Sequence, residues 1–412
     1  MEKFNLNERR LVTFKRKELG LTVGQVADEL HMSKSNLSRI ENGKIMVSED
    51  NRELLENRFS INFSLEDKYY YLTLEKLNKV TELLIFYKLF DEYSRNQVDN
   101  ANQYVLQSVA YPVHILLRLL VYSVKYMEWK FVTKYIAIFD SIIDLLEPSL
   151  QKIFYISKIS FLYFNKDYNK SLSLCMFVEE NYNPEPLLDS YIYHVKSMIY
   201  ICLGDQDLTV RSINRAIELS TSIGNSPRLV ALNILKGNSL RLRGKYKEAL
   251  VENNKNLEYA NTNHIHIYDY TLLKNRGWTY YLLNNYESAL KYYQEAEKIG
   301  LDDDICFIAG LCSYRLGLRK QCKDYIIKGR KTKNAGIAFP YLIDWLELTL
   351  NKRYSIKAEN KLLYCLKKMG NKMHIDSRNN ICRLLIEHYT FHNDFDKVKE
   401  FESKLKYMDT DD

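Results

Sequence analysis

Proline and glycine are scarce, 6 and 14 in 412 residues. So few turn formers argue against a fold of hairpins and tight loops. No apolar run reaches the roughly 18 to 20 residues that a membrane span needs, and the opening MEKFNLNERRLV lacks the apolar core of a secretory signal. A cytoplasmic protein without membrane contact is expected. The seven cysteines (Cys175, Cys202, Cys306, Cys312, Cys322, Cys365, Cys382) are odd in number and scattered, with no C-x-x-C pair, and read as reduced core thiols. Phosphate-loop, nucleophile-elbow and H-E-x-x-H motifs are absent, so neither catalysis nor a cofactor is expected. His388 and His392 stand four apart, and His264 and His266 two apart, but no further ligands complete a metal site; they read as surface histidines.

A strong local charge bias is also missing. The net charge is +7, yet residues 1–66 hold eleven Lys/Arg and eleven Asp/Glu. Net charge therefore says nothing for or against nucleic acid, because phosphate contacts depend on where charge sits.

What is abundant is helical pattern. Leu, Ile, Lys, Glu and Tyr recur at three- and four-residue spacing nearly throughout, and the 46% hydrophobic and 27% charged residues suffice for a real core. An all-α fold without sheet is expected, the strand-like run HIHIYDY (264–270) having no partner run. The chain also repeats itself. GNSLRLRGKYKEAL (237–250) aligns without a gap on GWTYYLLNNYESAL (277–290), matching Gly237 to Gly277, Tyr246 to Tyr286 and Ala249 to Ala289. The same frame places turns near 127, 166, 204, 244, 284, 317, 352 and 393.

This spacing, with Gly, Tyr and Ala at these offsets, resembles the tetratricopeptide repeat, whose helix pairs are too small to bury their own apolar faces and must stack. The resemblance implies that Ala249 and Ala289 sit where paired helices cross closely and that Tyr246 and Tyr286 fill the gap beside the turn. It predicts a right-handed tetratricopeptide-like α-solenoid over 106–408, about eight helix pairs. Before it, Leu65–Tyr93 reads as a continuous linker helix within a region 64–105, started by the cap-like pair Ser64 and Asp67. Its apolar stripe, Leu72, Leu83, Phe86 and Phe90, offers surface for a second subunit.

Residues 1–63 carry a second pattern. In LTVGQVADELHM, Val26, Ala27 and Leu30 share one face of a short helix; Leu37 and Ile40 continue the apolar set after a turn at His31–Met32, and Ser33 caps the next helix. With IENGK (40–44), these residues resemble the Xre/Cro-type helix-turn-helix family. The resemblance implies that the helix Ser33–Ile40 enters the major groove, that Lys34, Ser35, Asn36 and Arg39 face base edges, and that Lys44 meets a phosphate. It further implies an internal ion pair, Arg16 with Glu41. Two residues depart from the family pattern: His31 stands at a turn position usually held by Gly, and Val23 replaces a Gln that commonly contacts phosphate.

A DNA reader followed by such repeats resembles the cytoplasmic peptide-pheromone regulators of Gram-positive bacteria, the group of the Rgg, Rap, NprR, PlcR and PrgX types. The resemblance implies a homodimeric transcription regulator in quorum sensing that binds double-stranded operator DNA and a short linear signalling peptide, the peptide altering dimer geometry. Carried onto this chain, the first helix of each repeat lines the peptide face with His194, Met198, Asn238, Arg241, Lys274, Trp278, Tyr281 and Tyr314, and with Asn233 and Asn275 close by. Asn can satisfy both backbone N–H and C=O of an extended peptide, while Trp and Tyr take up its apolar side chains. The alternative is a repeat-domain adaptor that regulates a protein partner, such as a phosphorelay or response-regulator protein.

Overall fold

The computed structural model describes residues 4–65, 67–86, 92–332, 338–369 and 375–405. Among them are twenty-three α-helices and no β-strand. They fall into two compact units, Met1–Leu203 with Asn214–Arg228, and Gly204–Ile213 with Leu229–Asp412.

The first unit opens with α1 (Leu6–Glu18), α2 (Val23–Glu29), α3 (Lys34–Glu41) and α4 (Glu49–Phe59). Each is started by a side chain that accepts an otherwise orphaned N–H: Asn5 from Glu8, Thr22 from Gln25, Ser33 from Asn36 and Ser48 from Asn51. There follow α5 (Lys68–Ile85), α6 (Glu92–Asp99), α7 (Gln103–Gln107), α8 (Tyr111–Val121), α9 (Trp129–Asp140), α10 (Pro148–Phe164), α11 (Tyr168–Asn181), α12 (Pro186–Leu203) and, from Asn214 on, α13 (Gln206–Ser222), whose first residues belong to the second unit.

The continuous linker helix expected over Leu65–Tyr93 is not what forms. Helix α5 stops at Ile85, whose carbonyl accepts from Arg228 Nη2 (2.7 Å), Arg228 Nε and Asn225 Nδ2 (both 3.2 Å). These buried donors satisfy a helix C-terminus that would otherwise need water. Nor does Ser64 cap its start: the Ser64 N–H turns back to Asn62 Oδ1, and the N-cap Asp67 makes no side-chain bond. Helix α5 buries Leu77, Val80 and Leu84 against α8 and α12. Of the stripe expected to face a second subunit, Leu72 is exposed, Leu83 and Phe86 are half-buried, and Phe90 lies outside the described residues.

The second unit continues with α14 (Ser226–Leu242), α15 (Tyr246–Thr262), α16 (Asp269–Leu282), α17 (Tyr286–Glu297), α18 (Asp303–Arg315), α19 (Arg319–Lys331), α20 (Phe339–Asn351), α21 (Ile356–Met369), α22 (Ile375–Phe391) and α23 (Phe395–Glu402). From α8 onward the helices pair in sequence, and every turn inside a pair holds one left-handed residue: Met127, Lys166, Gly204, Gly244, Asn284, Gly317, Tyr354 and Asn393. At five of these turns, those at Lys166, Gly244, Asn284, Gly317 and Asn393, a carbonyl five residues back is recovered, as in Lys245 N–H to Leu240 O and Asn285 N–H to Tyr280 O, both 3.0 Å. Seven of the eight positions are those the repeat register gives; the eighth is Tyr354 rather than 352, because α20 runs on to Asn351 before the chain turns.

Close crossing within the pairs needs small residues. Ala249 and Ala289 are fully buried. A Cβ on Gly277 would lie 2.8 Å from the Tyr293 ring and 3.3 Å from the Ala289 carbonyl, and one on Gly237 only 2.5 Å from Asn253 Oδ1. The HIHIYDY run forms a 3₁₀ turn, His266–Tyr268, and the start of α16. All seven cysteines are free, six of them buried, and burial pushes the Cys312 thiol up to about 12. His388 is not a surface residue: it is buried, its Nε2 3.4 Å from Glu359, whereas His392 is exposed.

Candidate nucleic-acid interface and repeat groove

Helices α2 and α3 are held at their crossing by Val26, Ala27, Leu30, Leu37 and Ile40, all buried. His31 takes the left-handed conformation (φ 54°) at the turn, and Met32 N–H bonds Ala27 O at 2.9 Å, so the geometry usual for Gly is kept without Gly. The expected ion pair forms: Arg16 Nε and Nη2 reach Glu41 Oε1 and Oε2 at 2.6 and 2.8 Å, while Arg16 Nη1 also bonds Leu21 O. A bidentate pair this well satisfied fixes α3 against α1. Val23 is half-buried against the core, and Gln25 is spent on the capping box at Thr22.

With Glu41 neutralised from inside, the outward side of α3 is cationic and amidic. Lys34, Ser35, Arg39 and Lys44 are exposed and Asn36 is half-buried. None of these five side chains makes an ion pair or hydrogen bond among the described residues. They are available as donors, Asn36 also as an acceptor, for base edges and phosphates.

The opposite side of this domain is committed. Arg10 is fully buried and bonds Glu147 (2.6 Å) and Asn7 (2.6 Å), and Tyr70 Oη donates to the same Glu147 at 3.0 Å. Glu18 accepts from Tyr111 Oη at 2.8 Å and Tyr135 Oη at 2.6 Å, and burial with this carboxylate pushes both phenols far up. Phe14 packs on the rings of Tyr111, Tyr135 and Phe139 at 5.3 to 6.2 Å. One apolar core thus runs without a break from Leu11, Phe14 and Leu37 to Leu116, Phe139 and Phe154. Apart from the local Arg10–Asn7 bond, these hydrogen-bond partners are 77 to 137 residues apart in the chain, beyond the reach of helical periodicity.

Of the residues expected to line the peptide face, His194 and Met198 belong to the first unit. His194 is not groove-facing: it is fully enclosed, its Nδ1 against the Arg228 guanidinium, and burial with that cation holds its pKa well below the usual value. The imidazole here is neutral, its ring nitrogen accepting from the arginine that caps α5. Met198 is half-buried against the same core.

The other eight belong to the second unit. Asn238 Oδ1 accepts from Arg241 Nη1 (2.9 Å), and Arg241 Nη2 pairs with Asp376 at 2.5 Å. Trp278 and Tyr281 stack at 5.1 Å and 20°, and Tyr281 Oη donates to Asn380 at 3.0 Å. Lys274 is bound by Asp302 (2.6 Å) and Asp304 (3.0 Å), which leaves it structural rather than open to a ligand. Asn233, Asn275 and Tyr314 are half-buried. Asn275 Nδ2 and Trp278 Nε1 are buried donors with no acceptor among the described residues, a cost that a bound acceptor would relieve. The periodicity missed a stripe on α22: Asp376 and Asn380 meet this set, Arg383 and Glu387 meet Tyr246 and Arg315 outside it, and their 4-3-4 spacing is the signal that could have found them.

The comparisons agree with this architecture. A helix-turn-helix family matches residues 14–64, and a tetratricopeptide repeat family matches residues 270–301. No curated protein sequence matches the chain. Among solved structures, a Rap protein complexed with Competence and Sporulation Factor is 14% identical with a TM-score of 0.62, covering 82% of this chain and 97% of its own. NprR in complex with its cognate peptide NprX is 16% identical (TM-score 0.54; 81% and 98% covered). Aspartyl phosphate phosphatase F from Bacillus subtilis is 15% identical (TM-score 0.56; 81% and 92% covered). No helix among the described residues is long and apolar enough to cross a membrane. The chain therefore joins a helix-turn-helix domain to tetratricopeptide repeats in the fold of the Rap and NprR proteins.

Proposed function

We propose that this protein is a cytoplasmic, homodimeric DNA-binding regulator that acts by binding rather than by catalysis, and that a short linear peptide bound to its repeats controls its hold on an operator. The observation that carries the DNA half is the outward set Lys34, Ser35, Asn36 and Arg39 on α3, free of partners among the described residues above a fixed Arg16–Glu41 pair. The same set favours DNA over the adaptor reading, because a protein that only bound a response regulator would have no use for a base-reading edge. The peptide half is supported by the buried donors of Asn275 and Trp278, unpaired among the described residues, and by a neighbour of like fold, NprR, that was solved with its cognate peptide. Residues 1–63 serve as the reader and residues 106–408 as the sensor, the last few, 406–408, lying outside the described residues.

The test is selection of bound duplexes from a randomised library by the full chain. A recurrent two-half-site sequence, with half-sites about one helical turn apart or a multiple of that, is the expected result. Recovery of unrelated duplexes would remove the reader assignment and leave the adaptor.

A further inference from the structure

Helix α22 carries Asp376, Asn380, Arg383 and Glu387 at i, i+4, i+7 and i+11, one stripe along one face. Every member of that stripe bonds a residue far away in the chain. Asp376 pairs with Arg241, Asn380 accepts from Tyr281, Arg383 Nη2 donates to Tyr246 Oη at 2.6 Å, and Glu387 pairs with Arg315. The partners lie on α14, on α16, at the start of α15 and at the end of α18, and two of them, Arg241 and Tyr281, belong to the set that the repeat frame assigns to the peptide.

The two arginines are incompletely served. Arg241 is 5% exposed, and the Arg315 side chain is 13% exposed. Each meets its α22 carboxylate through Nη2 alone, and the Nε of each is buried with no acceptor among the described residues. A carboxylate placed on the Nε–Nη2 edge makes two parallel bonds where Asp376 or Glu387 makes one. A ligand acid is therefore a better partner for either arginine than the chain's own.

We infer that α22 is an internal stand-in for the ligand, and that the peptide is one whose two carboxylates displace Asp376 from Arg241 and Glu387 from Arg315. This rests on the reading of the repeats as a peptide site. The spacing sets the ligand's length. Asp376 and Glu387 are eleven residues apart, roughly 16 Å of helix at 1.5 Å per residue. An extended peptide covers that distance in about five residues. A hexapeptide with an acidic first residue and a free C-terminus presents both carboxylates at this separation.

The experiment uses the full-length protein and two synthetic hexapeptide pools, random at positions two to six. One begins with Asp and ends in a free carboxylate; the other begins with Asn and ends in an amide. Equilibrium dialysis with mass-spectrometric readout is expected to retain members of the acid pool at least tenfold more than the amide pool. In the Asp376→Asn, Glu387→Gln double variant the competing acids are gone, and retention of the acid pool is expected to rise at least tenfold further, with the amide pool unchanged. A measurement on the unaltered protein guards against a variant that folds poorly: adding the acid pool is expected to speed hydrogen exchange across residues 375–391. Equal retention of both pools, or unchanged exchange in α22 while peptides bind, overturns the displacement and leaves the peptide reading standing. Retention of neither pool by either protein overturns both.

Discussion

At the scale of single residues, the outward face of α3 and the buried imidazoles make separable demands. Arg39 has no partner among the described residues, so its replacement by Ala is expected to remove only its proposed contact with DNA. A loss of roughly 1 to 3 kcal/mol is expected at the selected operator, with much less on random duplex, if the guanidinium grips a guanine edge. Equal losses on both, by fluorescence anisotropy, would make Arg39 a phosphate contact. His114 answers to pH. Burial, helped by Lys76 and Arg118, lowers its pKa to about 4 from an ordinary 6.5. The unfolded chain then takes up this proton first, so the contribution of neutral His114 is complete above about pH 6.5 and is lost as pH falls towards 4. Its full size is of the order of 3 kcal/mol. Melting temperatures from pH 7 down to 4.5 should therefore fall less steeply in His114→Gln than in the unaltered protein; parallel curves would show that the imidazole is not stabilising through its neutral form. What was legible at this scale depended on where a partner sits. The Arg16–Glu41 pair is fixed by motif positions 25 residues apart. Arg10 and Glu147 are 137 apart, and no local spacing links them. His194 was misplaced because a helical frame fixes which residues share a face but not which face meets Arg228.

At the scale of elements, the repeat is held by two cheap devices, a small residue at the crossing and a left-handed residue at the turn. Both were readable, because they demand particular side chains: Gly237, Gly277, Ala249 and Ala289 stand at matched offsets. Gly277→Ala forces a Cβ to 2.8 Å from the Tyr293 ring, and a loss of roughly 1 to 3 kcal/mol by urea unfolding is expected from overpacking. Gly300→Ala, whose nearest neighbour would be 3.5 Å away, is the control and should cost less than about 1 kcal/mol. At the turns the reverse substitution helps. Lys166 is exposed at φ 64°, so Lys166→Gly is expected to raise stability by up to about 1 kcal/mol, provided the relief of the left-handed strain exceeds the extra entropy of the unfolded glycine. A lower midpoint in that variant would mean the side chain contributes more than the turn costs. The end of α5 at Ile85 was not readable, since what ends it is a pair of side chains at 225 and 228 rather than a breaker in its own sequence.

At the scale of the whole molecule, a reader of this kind covers one half-site, so two copies are needed on a two-fold operator. Sedimentation at micromolar concentration should give a dimer, with DNA if not without it; a monomer under both conditions would count against the proposed assembly. The committed back of the helix-turn-helix domain has a further consequence for what can be cut out of this chain. Arg10, Phe14 and Glu18 find their partners at Glu147, Tyr70, Tyr111, Tyr135 and Phe139, all beyond residue 63. A fragment ending at 63 would keep the base-reading edge but expose an aromatic ring and leave a guanidinium without the carboxylate that neutralises it. Such a fragment is expected to be less soluble and to melt lower than one ending near 165, although both carry every residue proposed to touch DNA. Grafted onto another sensor, these first helices would need a foreign surface to supply the acid and the rings, so the reader is inherited together with its repeats and not as a transferable part.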